Sequence, residues 1–252
     1  MDSSGKARSA ADTVVSDAAS DSLFVPSEGE AVKRAAAQIG LSDDAAAKGA
    51  GGKVTLTGEC VPFLGRVLAQ RKAWRVEFKD LNFAEVTGDP RLANPHITQL
   101  VVILSPDTGN VLKVTSVWPK EVPRIASYPT CAQEEQQLTA CGTVYSGIPK
   151  EVPSASLAHA LKVSMRWSDE VKQICATYVL ESCPEYKDRP VWIVTLRGIT
   201  PSLPVSVPVE IPNLKIPEDS RNHLRNVIDA KTGTWLCADT IPQPAPPVEN
   251  RY

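Results

Sequence analysis

The sequence predicts an α+β fold of two repeats, each a helix packed on an antiparallel four-stranded meander. Three observations predict it. Two stretches, "SPDTGNVL" (Ser105 to Leu112) and "DAKTGTWL" (Asp229 to Leu236), write nearly the same turn twice. Each follows a strand-like segment carrying a tryptophan, Trp74 in the first half and Trp192 in the second, with a helix pattern before that. A Pro-rich middle separates the two series.

The elements follow in order. Residues 1–26 are small and polar and read as a disordered leader. Ser27 with Glu30 forms a capping box, Val32, Ala35, Ala36 and Ile39 then fall on one helical face, and Gly40 is a stop. "AKGAGG" reads as a flexible break, and "KVTLTGECVPFLGRVLAQ" as β-like with an interruption at Pro62. "AWRVEFKDLNF" sets Trp74, Val76 and Phe78 against Arg75, Glu77 and Lys79, the period of a half-buried strand. "TGDPRLANPH" is a loop, "ITQLVVIL" a strand, and "VLKVTSV" its hairpin partner across "SPDTGN". In the second half, "SASLAHALKVSMRWSDE" is a helix with Leu157, Ala160, Leu161 and Ser164 along one stripe. "VKQICATYVLES" is a strand, "CPEYKDRP" a turn and "VWIVTLRGI" a strand. The Pro-rich excursion 200–219 leads to "RNHLRNVI" and the second turn.

The predicted organisation is therefore a leader (1–26), a first module (27–117), a Pro-rich linker (118–153), a second module (154–240) and a Pro-rich tail (241–252). Within the linker, Thr130 and Gln133 cap a short helix ending near Gly142, and "PKEVP" stands at both ends, Pro119 to Pro123 and Pro149 to Pro153. Proline disfavours ladder pairing, so the pentapeptides read as semi-rigid spacers rather than docking motifs.

Composition narrows the function. Hydrophobic residues make up 42% and charged residues 22% of the 252, as in globular chains. The net charge is −2 with no basic block, which argues against nucleic acid, whose phosphates need clustered Lys and Arg. No stretch reaches the roughly 18–20 apolar residues of a membrane span. The N-terminus lacks the apolar core of a signal peptide. The six cysteines, Cys60, Cys131, Cys141, Cys175, Cys183 and Cys237, form no CxxC pair, and His96, His159 and His223 are remote from them, so no zinc site is expected. Buried thiols and disulfides in an oxidising compartment both stay open.

The helix, the strand tryptophan and the "D-x-x-T-G-x-hydrophobic" hairpin together resemble the PepSY family and its cystatin-like relatives. "DAKTGTWL" fits that ending with Asp229 in the leading position, and "SPDTGNVL" departs from it at Ser105. The resemblance covers roughly residues 27–117 and 154–240. It implies a helix across an antiparallel meander, an exported binding or peptidase-regulatory role, a protein or peptide partner, and no defined active site. The long loop 200–219 and the unusual linker depart from the family pattern.

No residue is assigned to catalysis, to a cofactor or to a metal. Asp107 with Thr108 and Asp229 with Thr232 read as turn formers rather than calcium ligands, because fixed oxygen-ligand spacing is absent. Cys175 or Cys183 with His159 lacks anything local that would lower a thiol pKa. "GAGG" before Lys53 lacks the ending of a phosphate loop. Trp74, Trp192 and Trp235 read as core, and Trp118 as the exposed aromatic. Expected recognition surfaces are the sheet face, an edge strand, or the Pro-rich loop at 201–217. A rival reading, an enzyme with a pocket on the curved sheet, has Glu77, Asp80 and His223 as its only candidates; a structural surface protein is a second rival.

Overall fold

The alternating β-branched and aromatic residues of both halves build one antiparallel sheet, not two. The computed structural model describes residues 25, 27–49, 55–57, 73–92, 94, 96–117, 119–120, 139–140, 143–145, 147–167, 171–199 and 223–239. In the first half, helices α1 (Glu28–Ile39) and α2 (Asp43–Gly49) precede β1 (Thr55–Thr57), β2 (Ala73–Phe78), α3 (Phe83–Thr87), β3 (Leu100–Leu104) and β4 (Val111–Ser116). Two short strands, β5 (Thr139–Ala140) and β6 (Thr143–Tyr145), come next. The second half runs α4 (Leu157–Ser164), β7 (Gln173–Cys183), β8 (Tyr186–Arg197), β9 (His223–Asp229) and β10 (Trp235–Asp239).

Strand order is β1-β2-β3-β4-β7-β8-β9-β10, with β6 on β7 and β5 on β6. Seven of the ten strands have five residues or more; β1, β5 and β6 are shorter. Each half is a four-stranded meander, as expected. The expectation of two separate repeats is corrected at one joint, where Lys113, Val114 and Thr115 of β4 pair with Thr177, Ala176 and Cys175 of β7. Backbone groups at β4 and β7 would otherwise be unpaired edges, and joining them satisfies both. The core is shared as well. Val76, Leu104 and Val114 from the first half lie in one cluster with Ile174, Trp192 and Ile228 from the second.

Alternation along the strands decides what each face carries. Ile174, Ala176 and Tyr178 of β7 pack with α1 and α4 through Ala31, Ala35, Ile39, Leu157, Ala160 and Leu161. The expected stripe of Leu157, Ala160, Leu161 and Ser164 is thus the buried face of α4. On the opposite face Val179, Val191, Ile193 and Val227 gather with Tyr145. Ser27 caps α1 by accepting from Glu30 N at 3.3 Å, and Gly40 ends it.

Four local expectations change. Asp43–Gly49 is a helix whose last three residues fall where the flexible break "AKGAGG" was read; its two leading aspartates suit a helix N-terminus. The segment around "TGDP" is entered by α3, with Asn82 as N-cap accepting from Ala84 N at 3.1 Å and Gly88 as the stop. The turn read across "CPEYKDRP" is confined to Pro184 and Glu185, and β8 already begins at Tyr186. Trp235 is 42% exposed, whereas Trp74 and Trp192 are buried. It stands on β10, the last strand of the sheet path, where strand chemistry does not bring burial. Of the short helix expected at 130–142 only Thr139–Ala140 are described, and they form β5; of the leader only Val25 is described, and it is buried; Trp118, Lys53, the tail and the loop 201–217 lie outside the described residues.

Candidate functional site at the turn end of the sheet

The two turns are one structure made from different residues. Gly109 N donates to Ser105 O and Gly233 N to Asp229 O, each at 2.8 Å. Ser105 N donates to Asn110 O and Asp229 N to Thr234 O, each at 2.9 Å. Ser105 Oγ accepts from Thr108 N (3.3 Å) in the place where Asp229 Oδ1 accepts from Thr232 N (2.9 Å). Thr108 Oγ1 and Thr232 Oγ1 each accept from the residue two positions on, at 3.2 Å. Gly109 (φ 71) and Gly233 (φ 74) supply the left-handed step that a Cβ would strain. The ladder slips at the same place after both turns, opposite Ile103/Leu104 and between Trp235/Cys237.

Each half then ties its turn to its helix. Gln38 of α1 donates Nε2–H to Gly109 O (2.6 Å) and accepts from Val111 N (2.8 Å). In the second half His159 of α4 takes that place, donating Nε2–H to Gly233 O at 3.2 Å. The chain just before each helix meets the turn, Val25 N to Pro106 O and Ala155 N to Ala230 O. The two strand tryptophans donate to that same approach, Trp74 Nε1 to Val25 O (3.0 Å) and Trp192 Nε1 to Ala155 O (2.8 Å). A bonded indole N–H is what allows a tryptophan full burial.

A strap of the chain crosses between the two turns. Asn110 Nδ2 donates to Pro149 O (2.7 Å) and Glu151 O (3.1 Å), and Tyr178 OH donates to Glu151 O at 3.0 Å. Lys231 in the second turn pairs with Glu151 at 3.4 Å. The second "PKEVP", read as a spacer, is therefore held down through its backbone carbonyls. Between strap and sheet lies a shallow cleft of about 120 Å³, lined by Pro149, Lys150, Glu151, Leu180, Asp188, Pro190 and Lys231.

Beside it, Arg189 Nε and Nη2 both bond Asp229 Oδ2, at 2.8 and 2.7 Å. Partial burial pushes the Asp229 carboxyl up; the N–H of Thr232, Arg189 and the N–H of Lys231 together outweigh it and hold the group below the usual range. Arg189 also lies over the Tyr186 ring, 4.9 Å from its centroid, and Tyr186 OH donates to Glu181 Oε2 at 2.6 Å. Burial, with that bond to Glu181, raises the Tyr186 phenol. Burial, then the charge of Glu151, raises Tyr178. Both phenols are donors, not bases.

The loose candidates do not converge. Glu77 of β2 pairs with Arg75 and with Lys79 just past the strand, and Asp80 is exposed in the following turn. His223 begins β9, five strand positions along the sheet from β2, which is roughly 24 Å at the usual spacing. Cys175 is disulfide-bonded and offers no thiol to His159 on α4. Cys183, at the far end of β7, donates to Glu185 at 2.8 Å. Asp229 spends its carboxylate on its turn and on Arg189, and Asp107 is exposed. Among the described residues no group of three His, Cys, Asp or Glu side chains could hold a metal, and no helix is long and apolar enough to cross a membrane. Sequence reasoning missed Asn110, Tyr178 and Arg189; the repeated pentapeptide was the available signal for the strap.

No protein-family model, curated protein or solved structure matches the chain.

Proposed function

We propose that the chain is a non-enzymatic binding or peptidase-regulatory module that takes a protein or peptide partner outside the cytoplasm. The observation that carries this reading is the turn-end cleft, shallow and walled by Pro149 and Pro190, with Lys150, Glu151, Asp188 and Lys231 at its rim. Pockets that enclose a small substrate usually measure about 300–1,000 Å³, and this one has no paired nucleophile and base. The same surface already holds an extended Pro-containing strap by its carbonyls, a mode suited to extended peptides. The resemblance of the hairpins to PepSY-type modules points the same way. Exported chains also favour disulfides, and intact mass after alkylation, with and without reduction, should reveal at least one bridge.

A peptide array tests the binding. Peptides retained by the parent should be lost by the double variant Lys150→Ala/Lys231→Ala, with its denaturation midpoint unchanged. An array that yields no binder would overturn the binding reading. Turnover of ester, peptide or phosphoester probes by the parent would overturn the non-enzymatic one.

A further inference from the structure

We propose that the residue bonded to Cys175 is Cys131, so that a disulfide pins the chain between the two halves to the sheet beside their joint. Cys175 is buried on β7 and disulfide-bonded. It pairs with Thr115 of β4, at one end of the three-pair joint. Alternation puts its side chain on the face of Val179, opposite the helices. The sequence offers five partners: Cys60, Cys131, Cys141, Cys183 and Cys237. Bridged cysteines have Cα atoms within about 7 Å of each other, and the ladder excludes four of the five.

Cys183 is on the same strand, eight positions on, which is about 26 Å. Cys237 is on β10, three strands from β7, or about 14 Å before any offset along the strands. Cys141 comes three residues before Val144, whose partner Ser182 is seven positions, about 23 Å, from Cys175. Three extended residues cover at most about 11 Å, so a gap of about 12 Å remains. For Cys60 the anchor is Thr57, opposite Ala73. Cys175 lies in the row of Thr115, Val101 and Glu77, four positions along β2 from Ala73 and four strands from β1. That is about 23 Å from Thr57, and the three residues to Cys60 again recover only about 11 Å. Cys131 alone has the reach. It comes eight residues before Thr139, a stretch of up to about 28 Å, against about 25 Å from Thr139 to Cys175.

Closing the bridge removes two protons and two electrons from the thiols of Cys131 and Cys175. A low-molecular-weight disulfide takes them up by exchange and leaves as two thiols, so the step belongs to an oxidising compartment.

Protein refolded with oxidised glutathione, alkylated in denaturant and digested without reduction tests this. Trypsin alone leaves Cys131 with Cys141 and Cys175 with Cys183, so a glutamate-specific protease is added to cut after Glu134 and Glu181. Mass spectrometry should find residues 125–134 joined to residues 173–181. Cys131→Ser should turn Cys175 into an alkylatable thiol, whereas Cys60→Ser and Cys141→Ser should leave it blocked. Should Cys131→Ser fail to fold, the map of the parent decides alone. A bridge from Cys175 to any other cysteine, or an unbridged Cys175 in the parent, overturns the proposal.

Discussion

At the scale of single residues, the two turns are a comparison made inside one molecule. A Cβ on Gly233 would fall 2.4 Å from His159 Nε2, in addition to the strain of positive φ. Gly233→Ala should therefore destabilise by more than the about 1 kcal/mol of conformational strain alone. Adding His159→Ala should recover part of that loss, which chemical denaturation of the single and double variants would reveal. The leading residue differs in chemistry, neutral Ser105 against ionised Asp229. Because the folded Asp229 pKa is depressed, the stability it adds is complete above the ordinary carboxylate range and is lost as pH falls through the folded value. Asp229→Asn keeps an oxygen for the turn but gives up charge pairing with Arg189. It should be about 1 kcal/mol less stable at neutral pH, with a flatter stability profile on acidification. A variant as acid-sensitive as the parent would assign that sensitivity elsewhere.

At the scale of elements, Gln38 joins α1 to the β3–β4 turn and has no apolar substitute. Gln38→Leu would leave Gly109 O and Val111 N unpaired in a buried place, at about 1–3 kcal/mol for each orphaned group. Denaturation should register a loss of at least 1 kcal/mol; a neutral variant would mean that water replaces the amide. This scale is also where the sequence was most readable. Trp74, Val76 and Phe78 alternate because β2 has one face on the helices, and the stripe on α4 has helical spacing for the same reason. The missed elements had local signals of short range: Asp43 and Asp44 before an alanine run, and Asn82 and Gly88 bracketing five residues. Trp235 was illegible for another reason. Its strand propensity is genuine, but only the position of β10 in the sheet decides whether a neighbour covers it. The strap was hidden likewise, since its bonds use backbone carbonyls, which every residue offers.

At the scale of the whole molecule, the joint between β4 and β7 is the feature no local pattern encodes, because Val114 and Ala176 are far apart in sequence and neither constrains the other until the sheet exists. With a shared core and shared ladder, residues 27–117 and 154–240 expressed separately should each lack a cooperative unfolding transition. If both fragments melt cooperatively, the halves are self-sufficient and the joint adds little.

The joint also orders events in time. The β3–β4, β7–β8 and β9–β10 hairpins close over short stretches of chain, which costs little entropy and is fast. Bringing β4 to β7 must close a much longer loop for a ladder of three residue pairs. Until that step the exposed flank of each half is a sticky strand, open to the matching flank of another nascent chain. Refolding yield should accordingly fall with protein concentration, and the species lost would be exchanged pairs in which one chain's first half has found its neighbour's second.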